Sequence, residues 1–352
     1  MLIARAPVRI SLAGGGTDFP AYFEEHGGLV ISTSINRYFY VIVNLNGQES
    51  VQITSSDYRT FYRHPAGKPI PWDGDLSLPK AVLHDFGIDR GISVFIASEI
   101  PPGTGLASSS AATVALVKAL STACGQHLTK AEVARLACRL EIDKLGAPIG
   151  WQDQFAAAFG GLNAIAFSRD GVRVEPLELA AETRTRLEKR LLLFFTHVSR
   201  NSATILTEQK AHSEQKVKPV VESLHALKAM ALEVRQALES DDLDRVGVIL
   251  HESWQQKKRL AQGISNARID GAYETALANG AIGGKITGAG GGGFLLVYCR
   301  EEHQSRVVES LESLGLRRMD FRFEASGAKV LTNALPRWQV RVRPSLEMVA
   351  ER

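Results

Sequence analysis

Residues 101–112 of this 352-residue chain read Pro-Pro-Gly-Thr-Gly-Leu-Ala-Ser-Ser-Ser-Ala-Ala, and they narrow the folds open to it more than any other stretch. Upstream, Ile92-Ser93-Val94-Phe95-Ile96 alternates as a strand does. Downstream, the alanine-rich run from Ala111 to Leu120 predicts a helix. The order strand, glycine-rich turn, helix start brings free backbone N–H groups and the positive end of a helix to one point, which builds an anion site. Glycines let the backbone approach a phosphate, and serine hydroxyls can cap the helix or hold a metal. An ordinary serine cap on a buried helix satisfies the same pattern. Two other phosphate loops are excluded: no Gly-Lys-Ser/Thr follows the turn, and the third glycine of a dinucleotide fingerprint is missing.

Five other segments carry side chains that suit chemistry. In residues 5–18, Arg9 alternates with Val8, Ile10 and Leu12, three glycines (Gly14, Gly15, Gly16) allow a tight turn, and Thr17 and Asp18 precede a short helix near Phe19-Pro20. Asp18 reads either as that helix's cap or as part of a site. Asp153 stands in Trp151-Gln152-Asp153-Gln154-Phe155, where a carboxylate also suits a helix start. Glu141 lies on a helix predicted over 131–145, beside the apolar positions Val133, Ala134, Ala137 and Leu140. A carboxylate there needs a partner, either a basic side chain or a cation. Gly283 to Gly293 holds seven glycines in eleven positions together with Lys285, and it leads into the strand pattern Phe294 to Tyr298. Arg200, in Thr196 to Ser202, follows an apolar strand and opens a long helix, the setting of an anion contact or of a solvated surface arginine.

Strand patterns dominate the first hundred residues, with Ile31 to Leu45 the longest run, and helices follow from Leu106 to about Phe159. A hairpin is predicted through Gly160-Gly161 to Val172-Arg173-Val174, then a buried strand at Leu191 to Phe195 and helices from Ser202 to Leu260. Val221, Leu224, Leu227, Ala231, Val234 and Leu238 form one helical stripe. A helix Ile269 to Leu277 stops at Asn279-Gly280, another covers Arg306 to Leu314, and a last strand is expected around Phe321 to Phe323. The length suits two domains or one two-lobed unit, with a boundary placed near Phe167 to Glu188: residues 1–175, residues 176–335, and an extension over 336–352, with Thr332 onward read as irregular tail.

With 45% hydrophobic and 22% charged residues and no apolar run of bilayer length, the chain reads as a soluble protein. Met1 to Pro7 reads as a strand and not a signal peptide, so a cytoplasmic location is expected. Cys124, Cys138 and Cys299 suit core thiols better than disulfides or zinc ligands. A net charge of +3 argues against nucleic acid, and no membrane partner is expected; a homodimer is left open.

The loop at 101–112 resembles the Pro-x-x-x-Gly-Leu-Gly-Ser-Ser-Ala-Ala motif of the GHMP kinases, with Ala107 where that family usually has a glycine. Arg9 with Thr17-Asp18, Asp153-Gln154-Phe155 and the glycine-rich Gly283–Gly293 fall in the family's motif order, from Arg5 to Phe294. The resemblance implies the class, a two-domain α+β fold: an N-terminal ATP-binding lobe of ribosomal-S5-like type, a C-terminal α+β lobe, and the active site between them. It implies that Pro102, Gly103, Thr104, Gly105, Leu106, Ala107, Ser108, Ser109 and Ser110 wrap the ATP phosphates, and that Ser109 and Glu141 hold Mg²⁺. Asp153 would take the acceptor's proton and Arg9 would stabilise the charge that develops. Gly15, Gly16, Thr17, Asp18, Arg200, Lys285 and Gly288 would contact the acceptor. Where galactokinases carry a glutamate and a histidine, this chain has Gly15 and Gly16, a form similar to bacterial heptose 7-phosphate kinases and fucose-salvage kinases. The expected reaction is transfer of the γ-phosphoryl of MgATP to the anomeric hydroxyl of D-glycero-D-manno-heptose 7-phosphate, a precursor step for surface polysaccharide. A fucokinase-like enzyme or a non-catalytic sugar and ATP sensor are the alternatives.

Overall fold

Alternating and β-branched residues near the N-terminus build a sheet, and the computed structural model describes residues 1–47, 49–57, 59–198 and 202–336 of the chain. In order, the elements of the first half are β1 (Leu2–Ala13), α1 (Pro20–His26), β2 (Gly28–Leu45), β3 (Ser50–Ser55), β4 (Thr60–Pro65), α2 (Ser77–Asp85), β5 (Ile92–Ser98), α3 (Ser108–Ala123), α4 (Lys130–Cys138), a π-helical turn (Arg139–Lys144), α5 (Gln152–Phe159), β6 (Leu162–Ser168) and β7 (Gly171–Pro176). The second half adds α6 (Ala181–Arg190), β8 (Leu191–Phe195), α7 (Ser202–Glu214), α8 (Lys218–Glu239), α9 (Leu243–Lys257), α10 (Ala267–Ala278), β9 (Ala281–Ile286), β10 (Phe294–Cys299), α11 (Gln304–Ser313), β11 (Arg317–Met319) and β12 (Lys329–Asn333).

Among the described residues, eight strands form one sheet in the order β12-β1-β2-β5-β3-β4, with β6 paired to the early part of β2 and β7 to β6. The smaller sheet runs β11-β8-β10-β9. The length of β2 explains how one strand serves two partners: its N-terminal third pairs β6 and its C-terminal third pairs β5, while β1 runs along the other edge. Helix α3 packs on β1 and β2 through Ala111, Ala115, Leu116 and Ala119, whose small side chains bring it close to the sheet. Thr129 and Glu132 form a capping box that starts α4. The stripe expected on α8 is buried at Leu224, Leu227, Ala231, Val234 and Leu238, with Val220 buried in place of the half-buried Val221.

Three expectations need correction. Phe321 to Phe323 is not a strand; it contributes one bridge, Phe323 to Ile35, and the strands lie on either side of it as β11 and β12. Thr332 and Asn333 are not tail but part of β12, which pairs antiparallel with β1. The single helix expected over 131–145 is divided: α4 ends at Cys138 and the chain continues as the π-helical turn. The extension beyond Pro336 and Arg200 lie outside the described residues. Among the described residues, no helix is long and apolar enough to cross a membrane. The three cysteines are free thiols, with Cys138 and Cys299 buried.

Candidate active site

The phosphate loop joins β5 to α3. None of its serines caps the helix: Ala107 occupies the cap position in the left-handed region at φ 68°, and no side chain bonds the first turn. The Ser109 hydroxyl instead turns to Glu141. Behind the loop, Thr104 and Leu106 are buried; the Thr104 hydroxyl donates to the Pro101 carbonyl, and its own carbonyl accepts from Phe294 N–H at 3.3 Å. The second glycine-rich segment is pressed against the first. A Cβ on Gly288 (φ 67°) would come within 2.5 Å of the Gly105 Cα, so backbone meets backbone with no side chain between.

The loop separates two cavities that share Gly103, Ser108 and Ser109 in their walls. One is lined by Phe39, Ile96, Ile100 and Pro102, with Asp57 and Thr60 at its polar side. The other contains Arg9, Asp18, Asp153, Lys257, Lys285 and Glu141. Its centre is an ion pair. Arg9, 3% exposed, donates from Nε to Asp153 Oδ1 at 2.8 Å and from Nη1 to the Gly105 carbonyl at 2.8 Å, which ties the pair to the phosphate loop. Asp153 stands in the first turn of α5.

Asp18 is buried beside this pair and is not a helix cap; α1 starts at Phe19 without a side-chain cap. Its Oδ1 accepts from Gly16 N–H at 2.9 Å and its Oδ2 from Gln152 N–H at 3.2 Å. Burial, then the Asp153 charge, raises the Asp18 carboxyl above the ordinary carboxylate range. Gly150 makes the approach available, since a Cβ there would fall 2.1 Å from Asp18 Oδ2. Gly15 and Gly16 line the same cavity. Thr17 does not: its hydroxyl donates to the Gly14 and Leu29 carbonyls and accepts from Leu29 N–H, fastening the glycine turn to β2.

At the α3 end, Glu141 is 1% exposed. It accepts from Ser109 Oγ at 2.9 Å and Gln154 Nε2 at 2.7 Å, and burial raises its pKa to about 7. Among the described residues no basic side chain pairs with it. A buried carboxylate bonded to a hydroxyl at the phosphate loop, without a counter-charge, is the donor set that a hard divalent cation takes when phosphates complete its shell. Ser109 and Glu141 therefore fit Mg²⁺.

Lys285 lines the cavity but is 5% exposed and donates to the Leu12 carbonyl at 3.0 Å. Burial and the neighbouring Lys257 and Arg9 hold its ammonium well below the usual lysine range. Sequence reasoning missed Lys257, Gln152 and Ser11. Lys257 is half-buried at the end of α9, its amine donating to the Gly288 carbonyl. Its enclosure, then the Arg9 charge, pushes the ammonium down to about 8. The basic run Lys257-Lys258-Arg259 after a helical pattern was the available signal, but such runs usually end a helix in solvent. Ser11 Oγ and Gln152 Oε1 are buried at the cavity without a hydrogen-bond partner.

Comparison with known proteins agrees with this geometry. The family pattern for the GHMP kinases N terminal domain matches residues 77–161, and that for the GHMP kinases C terminal matches residues 234–315. A D-glycero-alpha-D-manno-heptose 7-phosphate kinase of Campylobacter jejuni is 30% identical, over 92% of this chain and 97% of its own length. A bifunctional fucokinase/GDP-fucose pyrophosphorylase of Arabidopsis thaliana is 27% identical over 86% of this chain, which spans 30% of that larger protein. Among solved structures, a D-glycero-D-manno-heptose 1-phosphate kinase of Bacteroides thetaiotaomicron superposes with a TM-score of 0.79 at 28% identity, covering 95% of this chain and all of that one.

Proposed function

Because this chain belongs to the GHMP kinase family and is thus an ATP-dependent sugar kinase, we propose that its acceptor is a heptose, D-glycero-D-manno-heptose 7-phosphate, phosphorylated at the anomeric hydroxyl to the 1,7-bisphosphate. The observation that carries this reading is the Arg9–Asp153 pair, set beside Asp18 in a cavity whose floor at Gly15 and Gly16 has no side chains. The place of a side chain at Gly15 is open up to ordinary contact with Ser11 and Gln152, whereas at Gly16 Gln209 and Leu224 already fill it. The heptose kinases among the relatives favour a heptose over fucose, the second reading, and their names differ between a 7-phosphate and a 1-phosphate.

In this reading Asp18 receives sugar hydroxyls and orients the ring. Asp153 accepts the proton of the anomeric hydroxyl, and Arg9, already bonded to the Gly105 carbonyl, faces the charge that builds on the reacting oxygens. Positioning supplies most of the rate in such transfers. Residues Gly103 to Ser110 cradle the phosphates, and the cavity at Phe39, Ile96 and Ile100 takes the adenine. Bound between Ser109 and Glu141, Mg²⁺ would neutralise charge on the phosphate oxygens. The first lobe, up to about residue 175, then carries the phosphate loop, Arg9, Asp18 and Asp153, and the second closes the acceptor cavity with Lys257, Lys285 and Gly288.

The test is ADP release with a panel of acceptors: heptose 7-phosphate, unphosphorylated heptose, mannose, fucose and mevalonate. Heptose 7-phosphate should give the highest kcat/KM; a preference for fucose would replace this reading with the second. In the same assay Asp153→Asn should lower kcat by about 10²–10⁴-fold with ATP affinity kept. Near-normal kcat with weakened sugar binding would make Asp153 a positioning group.

A further inference from the structure

Among the described residues three cations border the acceptor cavity, and they are not equivalent. Arg9 is already bonded to Asp153 and the Gly105 carbonyl. Lys285 is sealed against the Leu12 carbonyl, a bond that ties β9 to β1, and burial lowers its ammonium pKa well below the usual lysine range. Lys257 differs from both. It is held above neutrality, so it is charged at pH 7, and among the described residues no carboxylate lies within ion-pair distance of it. Among the described residues its hydrogen-bond partner is the neutral Gly288 carbonyl. That carbonyl belongs to the residue in backbone contact with Gly105 of the phosphate loop. Asp18 and Asp153 act on the ammonium electrostatically from the acceptor side, as does Arg9. A cation held only by a neutral carbonyl thus stands near both the donor loop and the acceptor carboxylates.

We propose that Lys257 is a catalytic residue contributed by the second lobe, its ammonium exchanging the Gly288 carbonyl for an oxygen of the phosphoryl group in transit. The bond from the γ-phosphorus to the β–γ bridging oxygen breaks, the bond from the γ-phosphorus to the acceptor oxygen forms, and the acceptor proton passes to Asp153. ADP departs with the bridging oxygen, and Lys257 neither gains nor loses a proton. This inference rests on the family's phosphoryl transfer and not on the identity of the sugar. A charged donor aimed at developing charge is worth about 10²–10³ in rate.

The experiment compares the native enzyme with Lys257→Gln, which keeps a donor for Gly288 without the charge, with Lys257→Met and Lys257→Arg, and with Lys258→Gln as a control. ATP and ADP affinities are measured by calorimetry with Mg²⁺, and kcat is measured on whichever panel sugar the native enzyme uses. The glutamine and methionine variants should lose about 10²–10³ in kcat, and Lys257→Arg should recover part of it. ATP affinity should fall toward that of ADP while ADP affinity holds, and Lys258→Gln should match the native enzyme. Unchanged kcat in Lys257→Gln overturns the proposal. So does an equal loss of ATP and ADP affinity, which marks a structural fault in the loop. A loss confined to the KM of a phosphorylated acceptor also overturns it, because the lysine then holds the acceptor's own phosphate. If the native enzyme phosphorylates no sugar of the panel, the heptose reading fails, and the ATP-against-ADP comparison still decides the role of Lys257.

Discussion

At Glu141, burial and function pull in opposite directions. Its pKa of about 7 in the fold stands above the ordinary value near 4.5, because the buried carboxylate lacks a cationic partner among the described residues. A folded-state pKa raised in this way gives stability that is fully present below the unfolded value and is lost as pH rises through about 7. Without Mg²⁺, the protein should therefore lose up to about 3 kcal/mol between pH 4.5 and 8 from this group alone. Glu141→Gln should remove that dependence, melting higher than the native protein at pH 8 in chelator while using MgATP poorly. Equal pH dependence of melting in the two proteins would show that another group carries the effect. Arg9, Asp18 and Asp153 were legible through the resemblance of their motifs to the family's, since by spacing alone Asp18 and Asp153 read equally as carboxylates at helix starts. Lys257 was not, since its place depends on where α9 ends relative to a loop thirty residues downstream. Ala107 holds a left-handed conformation that costs an alanine about 1 kcal/mol, the strain implied when an alanine replaces the usual glycine.

Among elements, the two glycine-rich segments act as one. Gly288→Ala adds a methyl where only the Gly105 backbone can yield, at a φ that alanine disfavours. It should displace the phosphate loop and lower kcat/KM on the order of 10²-fold, the cost of roughly an ångström of misplacement. A Gly288→Ala enzyme with native kinetics would mean the contact does not position the loop. Strands β1, β2, β5, β8 and β10 and the helices α8 and α10 were readable because periodicity reports burial directly. The π-helical turn carrying Glu141 was not, because one extra residue per turn leaves the apolar spacing almost unchanged. Strand β12 was missed for a related reason. Its side chains are half-buried or exposed, so Lys329 to Asn333 lack the apolar signal of an interior strand, whereas Phe321 and Phe323 imitate one.

For the whole molecule, the pairing of Leu2 with Asn333 is the connection that closes the architecture. Deleting residues 329–352 should leave β1 as an edge strand, lower the melting midpoint by roughly 5 °C or more, and weaken acceptor use, because Arg9 lies on β1. An unaltered midpoint would assign β12 no part in holding the sheet. The same pairing has a consequence for synthesis. The ribosome releases β1 before β12, so β1 lacks its second neighbour until everything between them has emerged. A nascent fragment that stops short of β12 carries the phosphate loop without a finished frame to hold it.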